Sequence, residues 1–138
     1  MTTTAPPQSL RQSTPLAARL TVIAGWSLLV IAVAHIAAFA FIVPWGDWFA
    51  GSLRSGEADL GSVADFWALP GGIVLPTVLT GLLMIRLGRQ GQRLGIGFGI
   101  ALIVWAGFCV FLLGPSGFLG VLVPAGFLIA AAVVDRKA

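Results

Sequence analysis

The chain has 138 residues, of which 58% are hydrophobic and 9% are charged, with a net charge of +3, and its mean hydropathy is +1.00. A soluble domain carries roughly 25% charged residues, and a chain this short has too high a surface-to-volume ratio to bury so much apolar surface. The composition therefore excludes an ordinary soluble domain. The basic residues are too few and too scattered for nucleic-acid binding, so we expect no nucleic-acid partner.

Four apolar runs follow a polar, proline-containing N-terminal stretch. We expect residues 1–18 to form a disordered cytoplasmic tail. The runs cover residues 20–43, 66–85, 95–113 and 117–134, and a helix needs about 20 residues to cross the hydrocarbon core of a bilayer. The predicted fold class is all-α, a polytopic membrane protein whose four transmembrane helices form an antiparallel bundle over residues 19–135.

The basic residues predict the orientation of this bundle. One side receives seven of the eight, namely Arg11, Arg19, Arg86, Arg89, Arg93, Arg136 and Lys137. The opposite loop, residues 44–65, contains Arg54 and four of the five acids. Because positive charge accumulates on the cytoplasmic side, we predict a multi-pass protein of the bacterial plasma (inner) membrane with cytoplasmic N- and C-termini. The lipid bilayer is its expected partner.

His35 is the single histidine and lies in the apolar stretch "LLVIAVAHIAAFAF". Eight residues separate it from the end of the first run, which places it about 12 Å deep, and Trp105 lies at the same depth in the third run. Ionisable residues inside membranes are costly and mark functional sites. The other interpretation is a neutral imidazole that hydrogen bonds to a serine, a threonine or a backbone carbonyl of a neighbouring helix.

Asp65 is the second candidate catalytic residue, because its carboxylate could orient the His35 ring. The motif "SVAD" that ends at Asp65 also matches a capping box with Ser62 as the N-cap. The ligand-pocket candidates are His35, Trp105, Cys109 and Trp67. Since there is one histidine and one cysteine, we expect no metal site, and no cofactor is predicted.

Small residues and prolines predict how the helices pack and bend. Gly95 and Gly99, four residues apart, together with the small residues of the first run, favour close packing of the first and third helices. Pro70, Pro76 and Pro124 are expected to bend the second and fourth helices. These bends would either open a pocket beside His35 and Trp105 or leave a kinked bundle that is filled by side chains.

Three stretches, "GWSLLVIAVAHI", "DFWALPGGIVL" with "LTGLL", and "GPSGFLGVLVPAGFLI", resemble an uncharacterised family of short bacterial, chiefly actinomycete, four-helix integral membrane proteins. The resemblance covers roughly residues 23–133. It implies four helices, a histidine in the first and a Phe-Trp pair entering the second, and it implies no activity.

Three functions remain open on the sequence alone. We favour a non-enzymatic accessory or lipophile-binding membrane component, with a second copy or another membrane protein as partner, because no paired catalytic groups accompany the small-residue helix faces. The alternatives are a membrane enzyme that acts on a lipophilic small molecule with His35 as acid or base, and a small homo-oligomeric transporter.

Overall fold

A computed structural model describes residues 13–137 of the chain. Residues 1–12 of the predicted tail, 1–18, lie outside this range, whereas residues 15–18 belong to α1, so the disorder predicted for them is wrong. Every regular element within this range is helical. The elements are α1 (Pro15–Phe39), α2 (Trp45–Ala50), α3 (Ser52–Ser55), α4 (Leu60–Ala68), α5 (Val74–Arg89), α6 (Ile96–Leu113), a 3₁₀ turn (Gly117–Val121) and α7 (Leu122–Arg136). The all-α prediction is confirmed for this part of the chain.

Three helical segments of the described chain are long and apolar enough to cross a membrane. They are Pro15–Phe39, Ile96–Leu113 and Gly117–Arg136, and they correspond to the first, third and fourth apolar runs. These segments indicate a membrane protein. The second run differs, because residues 69–73 separate α4 from α5 and leave α5 with 16 residues.

Local chemistry explains where α1 begins and ends. Thr14 is the N-cap, and its side chain accepts a hydrogen bond from the Ala17 amide. Pro15 follows at the first helical position, where its missing N–H costs nothing. The helix ends at Phe39, before the predicted residue 43, because residues 40–43 form turns that lead into Pro44, and the residue before a proline disfavours helical geometry.

The predicted cap of the second apolar run is wrong. Asp59 is the N-cap of α4, and its carboxylate accepts a hydrogen bond from the Ser62 amide. Ser62 therefore lies in the first turn of the helix, and its hydroxyl accepts a hydrogen bond from the indole of Trp48. Asp59 occupies the N-cap position three residues before Ser62, where aspartate is as good a cap as serine, so the predicted capping box does not account for Asp65.

Of the three prolines expected to bend helices, only Pro70 lies at a break. Pro76 lies in the first turn of α5, and Pro124 lies in the first turn of α7. Backbone N–H groups in a first turn have no intrahelical acceptor, so a proline there costs no hydrogen bond. Neither proline therefore interrupts the hydrogen bonding of a helix interior, which is the effect predicted for them.

The helices pack in an order that the sequence did not predict. Helix α1 lies between α5 and α7, and α6 packs against α7. The predicted close packing of the first and third helices, α1 and α6, is wrong, since their backbones make few close contacts. Gly99 of α6 instead approaches α7, where a β-carbon at this position would lie 3.1 Å from the Ala125 carbonyl oxygen.

Glycines set the tight approach of α1 to α5. A β-carbon on Gly25 would lie 2.6 Å from the carbonyl oxygen of Gly81, and a β-carbon on Gly81 would lie 2.9 Å from that of Gly25. The two backbones are therefore in direct contact, as small residues permit in a membrane. A cluster of buried residues from α1, α5 and α7 includes Ala24, Leu28, Met84 and Leu128.

Candidate functional site

His35 lies on α1 one turn before the end of the helix. Four residues separate it from Phe39, which is about 6 Å along the axis, half the depth predicted from the sequence. Its Nε2 lies 2.9 Å from the carbonyl oxygen of Ala68. A carbonyl only accepts hydrogen bonds, so Nε2 carries the proton and donates. The ring also lies beside Phe39, with 4.8 Å between ring centroids.

The break between α4 and α5 explains why the Ala68 carbonyl needs a side-chain donor. The amide of Gly71 donates to the carbonyl of Phe66, and the amide of Ile73 donates to that of Trp67. The amide of Val74 then donates to the carbonyl of Leu69, 3.3 Å away. None of these amides donates to the carbonyl of Ala68, which lies between the acceptors Trp67 and Leu69.

Pro70 and Gly72 produce this irregular pattern. Pro70 has no N–H, so it cannot donate to the carbonyl of Phe66 as a helical residue would. Gly72 lets the backbone fold tightly against the preceding turn, where a β-carbon would collide with the Trp67 carbonyl oxygen. In an apolar environment an unpaired carbonyl is costly, so His35 supplies the donor that the backbone does not.

Asp65 does not hold the imidazole. Within residues 13–137 no hydrogen bond or ion pair joins its carboxylate to His35. Asp65 is partly exposed in α4, and its backbone carbonyl accepts a hydrogen bond from the Leu69 amide. The two candidate catalytic residues therefore come from neighbouring elements but are not joined to each other.

The remaining pocket candidates have different neighbours. The Trp105 ring is 41% exposed and lies edge-on against Phe118 at a centroid distance of 5.3 Å. Cys109 is a partly exposed free thiol. Trp67 is 60% exposed, and its ring lies against that of Phe66. Because α1 and α6 are not packed together, His35 and Trp105 do not share an aromatic contact.

A row of aromatic rings joins α2 to α4 above the end of α1. Trp45 contacts Trp48 at 5.2 Å, Trp48 contacts Phe66 at 6.0 Å, and Phe66 contacts Trp67 at 5.5 Å. The Trp45 indole also donates to the Ala40 carbonyl oxygen, 2.9 Å away. Rings with one apolar and one polar end are typical of the membrane–water boundary.

A polar clasp at the opposite end of the molecule was missed in the sequence. The Asp135 carboxylate accepts a hydrogen bond from the Thr14 amide at 2.8 Å and pairs with the Arg93 guanidinium. The Ser13 amide and hydroxyl both donate to the Gly91 carbonyl oxygen. Three segments therefore meet at this end: the start of α1, the α5–α6 loop and the end of α7.

One sequence signal pointed to this clasp. Asp135 is the single acid among the basic residues that the charge pattern assigns to the cytoplasmic side. A lone carboxylate in a basic surrounding is a natural partner for arginine.

An open polar hollow of about 660 Å³ lies between α2, α3 and the start of α4. Its lining includes Asp47, Arg54, Glu57 and Asp59, and the buried hydroxyl of Ser52 on its wall finds no hydrogen-bond partner within residues 13–137. Among the described residues, no three His, Cys, Asp or Glu side chains come close enough to share a metal ion.

Comparison with known proteins adds no assignment. No family model, no curated protein and no solved structure matches this chain. The fold and the site define the class of protein, an all-helical chain with three segments of membrane-spanning length.

Proposed function

We propose that the chain is a multi-pass protein of the bacterial plasma membrane with four crossings and cytoplasmic N- and C-termini. The second crossing would cover residues 66–85, which include the end of α4, the irregular segment 69–73 and the uncharged part of α5. Residues 74–85 of α5 are 12 residues, or about 18 Å, and the preceding residues from 66 onwards supply the remainder of a core about 30 Å thick. The resemblance to short actinomycete membrane proteins is consistent with a location in the bacterial plasma membrane.

The distribution of charge supports the orientation. The clasp of Thr14, Arg93 and Asp135 joins the start of α1, the α5–α6 loop and the end of α7 at one end of the molecule. Six of the eight basic residues lie in these segments or next to them, and a seventh, Arg11, comes shortly before α1. Positive charge concentrated at one end favours a cytoplasmic location for that end.

We further propose that the protein is a non-enzymatic accessory or lipophile-binding component of this membrane. The observation that carries the proposal is the hydrogen bond from His35 to the Ala68 carbonyl. It gives the one histidine a structural task, namely to satisfy the backbone at a helix break. In addition, no carboxylate among the described residues pairs with the ring, so the base and orienting acid that an enzyme would need are not brought together.

Purification tests this function. The full chain, extracted in a mild detergent and placed in lipid nanodiscs, is expected to retain a lipid, a quinone, a second copy or another membrane protein. Light scattering measures the copy number, and native mass spectrometry with solvent extraction identifies what is retained. A preparation that is strictly monomeric and free of every such molecule would contradict the proposal.

A further inference from the structure

A groove of about 380 Å³ lies between α1 and α5 at the basic end of the molecule. It is lined by Ala18, Arg19, Val22, Ile23, Gly88 and Arg89. Four of these six residues are small or apolar, and the other two are arginines. The surface that faces into the groove is almost wholly apolar, so Arg19 and Arg89 line it with their aliphatic stems. Both arginine side chains are exposed, which leaves their charged ends beside the groove.

The glycine on α5 creates the floor of the groove. A β-carbon on Gly88 would lie 2.6 Å from Cγ2 of Val22 and 2.7 Å from the carbonyl oxygen of Ala18. The two helices therefore approach each other closely at this position. The longer side chains of Arg19 and Arg89 flank the contact and remain exposed.

Along α1 a cationic residue is followed by an apolar one, in the same order as the phosphate and the acyl chain of a phospholipid. Arg19 lies near the start of the helix, and Ile23 follows four residues later on the same face. One helical turn separates them, about 6 Å along the axis. The cationic group therefore lies at the end of the molecule, and the apolar group lies one turn deeper in the same groove.

The two arginines have no protein counterion in the described structure. Among residues 13–137 the ion pair is between Arg93 and Asp135. The chain's other acids, at positions 47, 57, 59 and 65, all belong to the α2–α4 region. An arginine guanidinium matches phosphate oxygens in charge and in geometry, and anionic lipids attract basic residues at the cytoplasmic leaflet.

We propose that this groove binds one anionic phospholipid. Its phosphate lies between the guanidinium groups of Arg19 and Arg89, and the first methylene groups of an acyl chain lie against Val22 and Ile23. The site rests on the membrane insertion proposed above, but it is independent of whether the protein is an enzyme.

Native mass spectrometry of the delipidated full chain in detergent tests the site. The probes are phosphatidylglycerol and phosphatidylcholine with identical acyl chains, and soluble glycerol 3-phosphate. We expect phosphatidylglycerol to bind about tenfold more tightly than phosphatidylcholine, and glycerol 3-phosphate not to compete, because it lacks the chain. Equal affinity for the two lipids would overturn the proposal, and effective competition by glycerol 3-phosphate would show a site for free phosphate.

Variants that remove the same number of positive charges distinguish a specific lipid site from non-specific electrostatic attraction to anionic lipid. The double variant Arg19→Gln and Arg89→Gln is expected to lose about tenfold in affinity for phosphatidylglycerol with no change for phosphatidylcholine. The control, Arg86→Gln with Arg136→Gln, removes the same charge at the same end but outside the groove, and should change the affinity less than about twofold. Equal losses of phosphatidylglycerol affinity in the two double variants would refute the groove as the binding site.

The insertion that the site requires is measured separately by cysteine labelling of the same chain in cells. A chain that is inserted as proposed but does not prefer phosphatidylglycerol refutes the lipid site alone. A chain that is not inserted refutes both proposals.

Discussion

Replacement of His35 by alanine removes the side chain that donates to the Ala68 carbonyl at the break between α4 and α5. A buried acceptor left without a partner costs about 1–3 kcal/mol. Hydrogen bonds between membrane helices average about 0.6 kcal/mol when measured by double-mutant cycles. Because His35 lies only one turn from the end of α1, where water can reach the carbonyl, we expect about 1 kcal/mol from the hydrogen bond.

The His35 ring also packs against Phe39 at 4.8 Å, and such ring pairs contribute about 0.5–1.5 kcal/mol. The His35→Ala variant should therefore lose about 2 kcal/mol of unfolding free energy. Two further variants divide this loss. His35→Phe keeps a ring but has no donor, and His35→Gln keeps a donor but has no ring, so each should lose about half as much.

Unfolding of the chain by SDS in mixed lipid–detergent micelles, followed by far-UV circular dichroism, measures these differences. The reasoning requires that His35→Phe be less stable than the wild type, since it differs chiefly by the lost hydrogen bond. Wild-type stability in His35→Phe would refute the role of His35 as the donor to the broken helix. Equal stability of His35→Gln and His35→Ala would refute it as well.

Two further predictions concern the packing of α1 and the polar clasp. Gly25→Leu should force α1 away from Gly81 and cost about 2 kcal/mol or more in the same unfolding assay, whereas Gly97→Leu on the open face of α6 should change stability by less than about 0.5 kcal/mol; equal effects would contradict the close approach. Asp135→Ala should raise the hydrogen-exchange rate of the Thr14 amide about tenfold, whereas Lys137→Ala should leave it unchanged. An unaltered Thr14 exchange rate in Asp135→Ala would contradict the clasp.

The membrane-length helices were predictable because hydrophobic length is a local property of the sequence. Helix α6 follows its apolar run closely, whereas α1 lies about one turn earlier in the chain than its run, and the fourth run begins with a 3₁₀ turn before α7. The prolines were harder to interpret, because their effect depends on position within a helix. Pro70 accompanies a break, whereas Pro76 and Pro124 occupy first turns.

The partners of individual residues were not predictable, because they depend on which helices become neighbours. Small residues on α1 indicated close packing, but not that Gly25 would meet Gly81 of α5 rather than a residue of α6. The hydrogen bond from His35 was among the alternatives, as a bond to a backbone carbonyl. Its acceptor, Ala68, could be named only once the break was placed beside α1.

The central claim, that the chain crosses the membrane with both ends in the cytoplasm, is tested most directly by cysteine labelling. Cys109 is the single cysteine, so Cys109→Ser gives a cysteine-free background for Ser55→Cys in α3, Gln92→Cys in the α5–α6 loop and Lys137→Cys after α7. A membrane-impermeant maleimide should label position 55 in intact bacterial cells, and positions 92 and 137 only after permeabilisation. Labelling of 92 or 137 in intact cells, protection of 55, or recovery of the chain in the soluble fraction without detergent would contradict the claim.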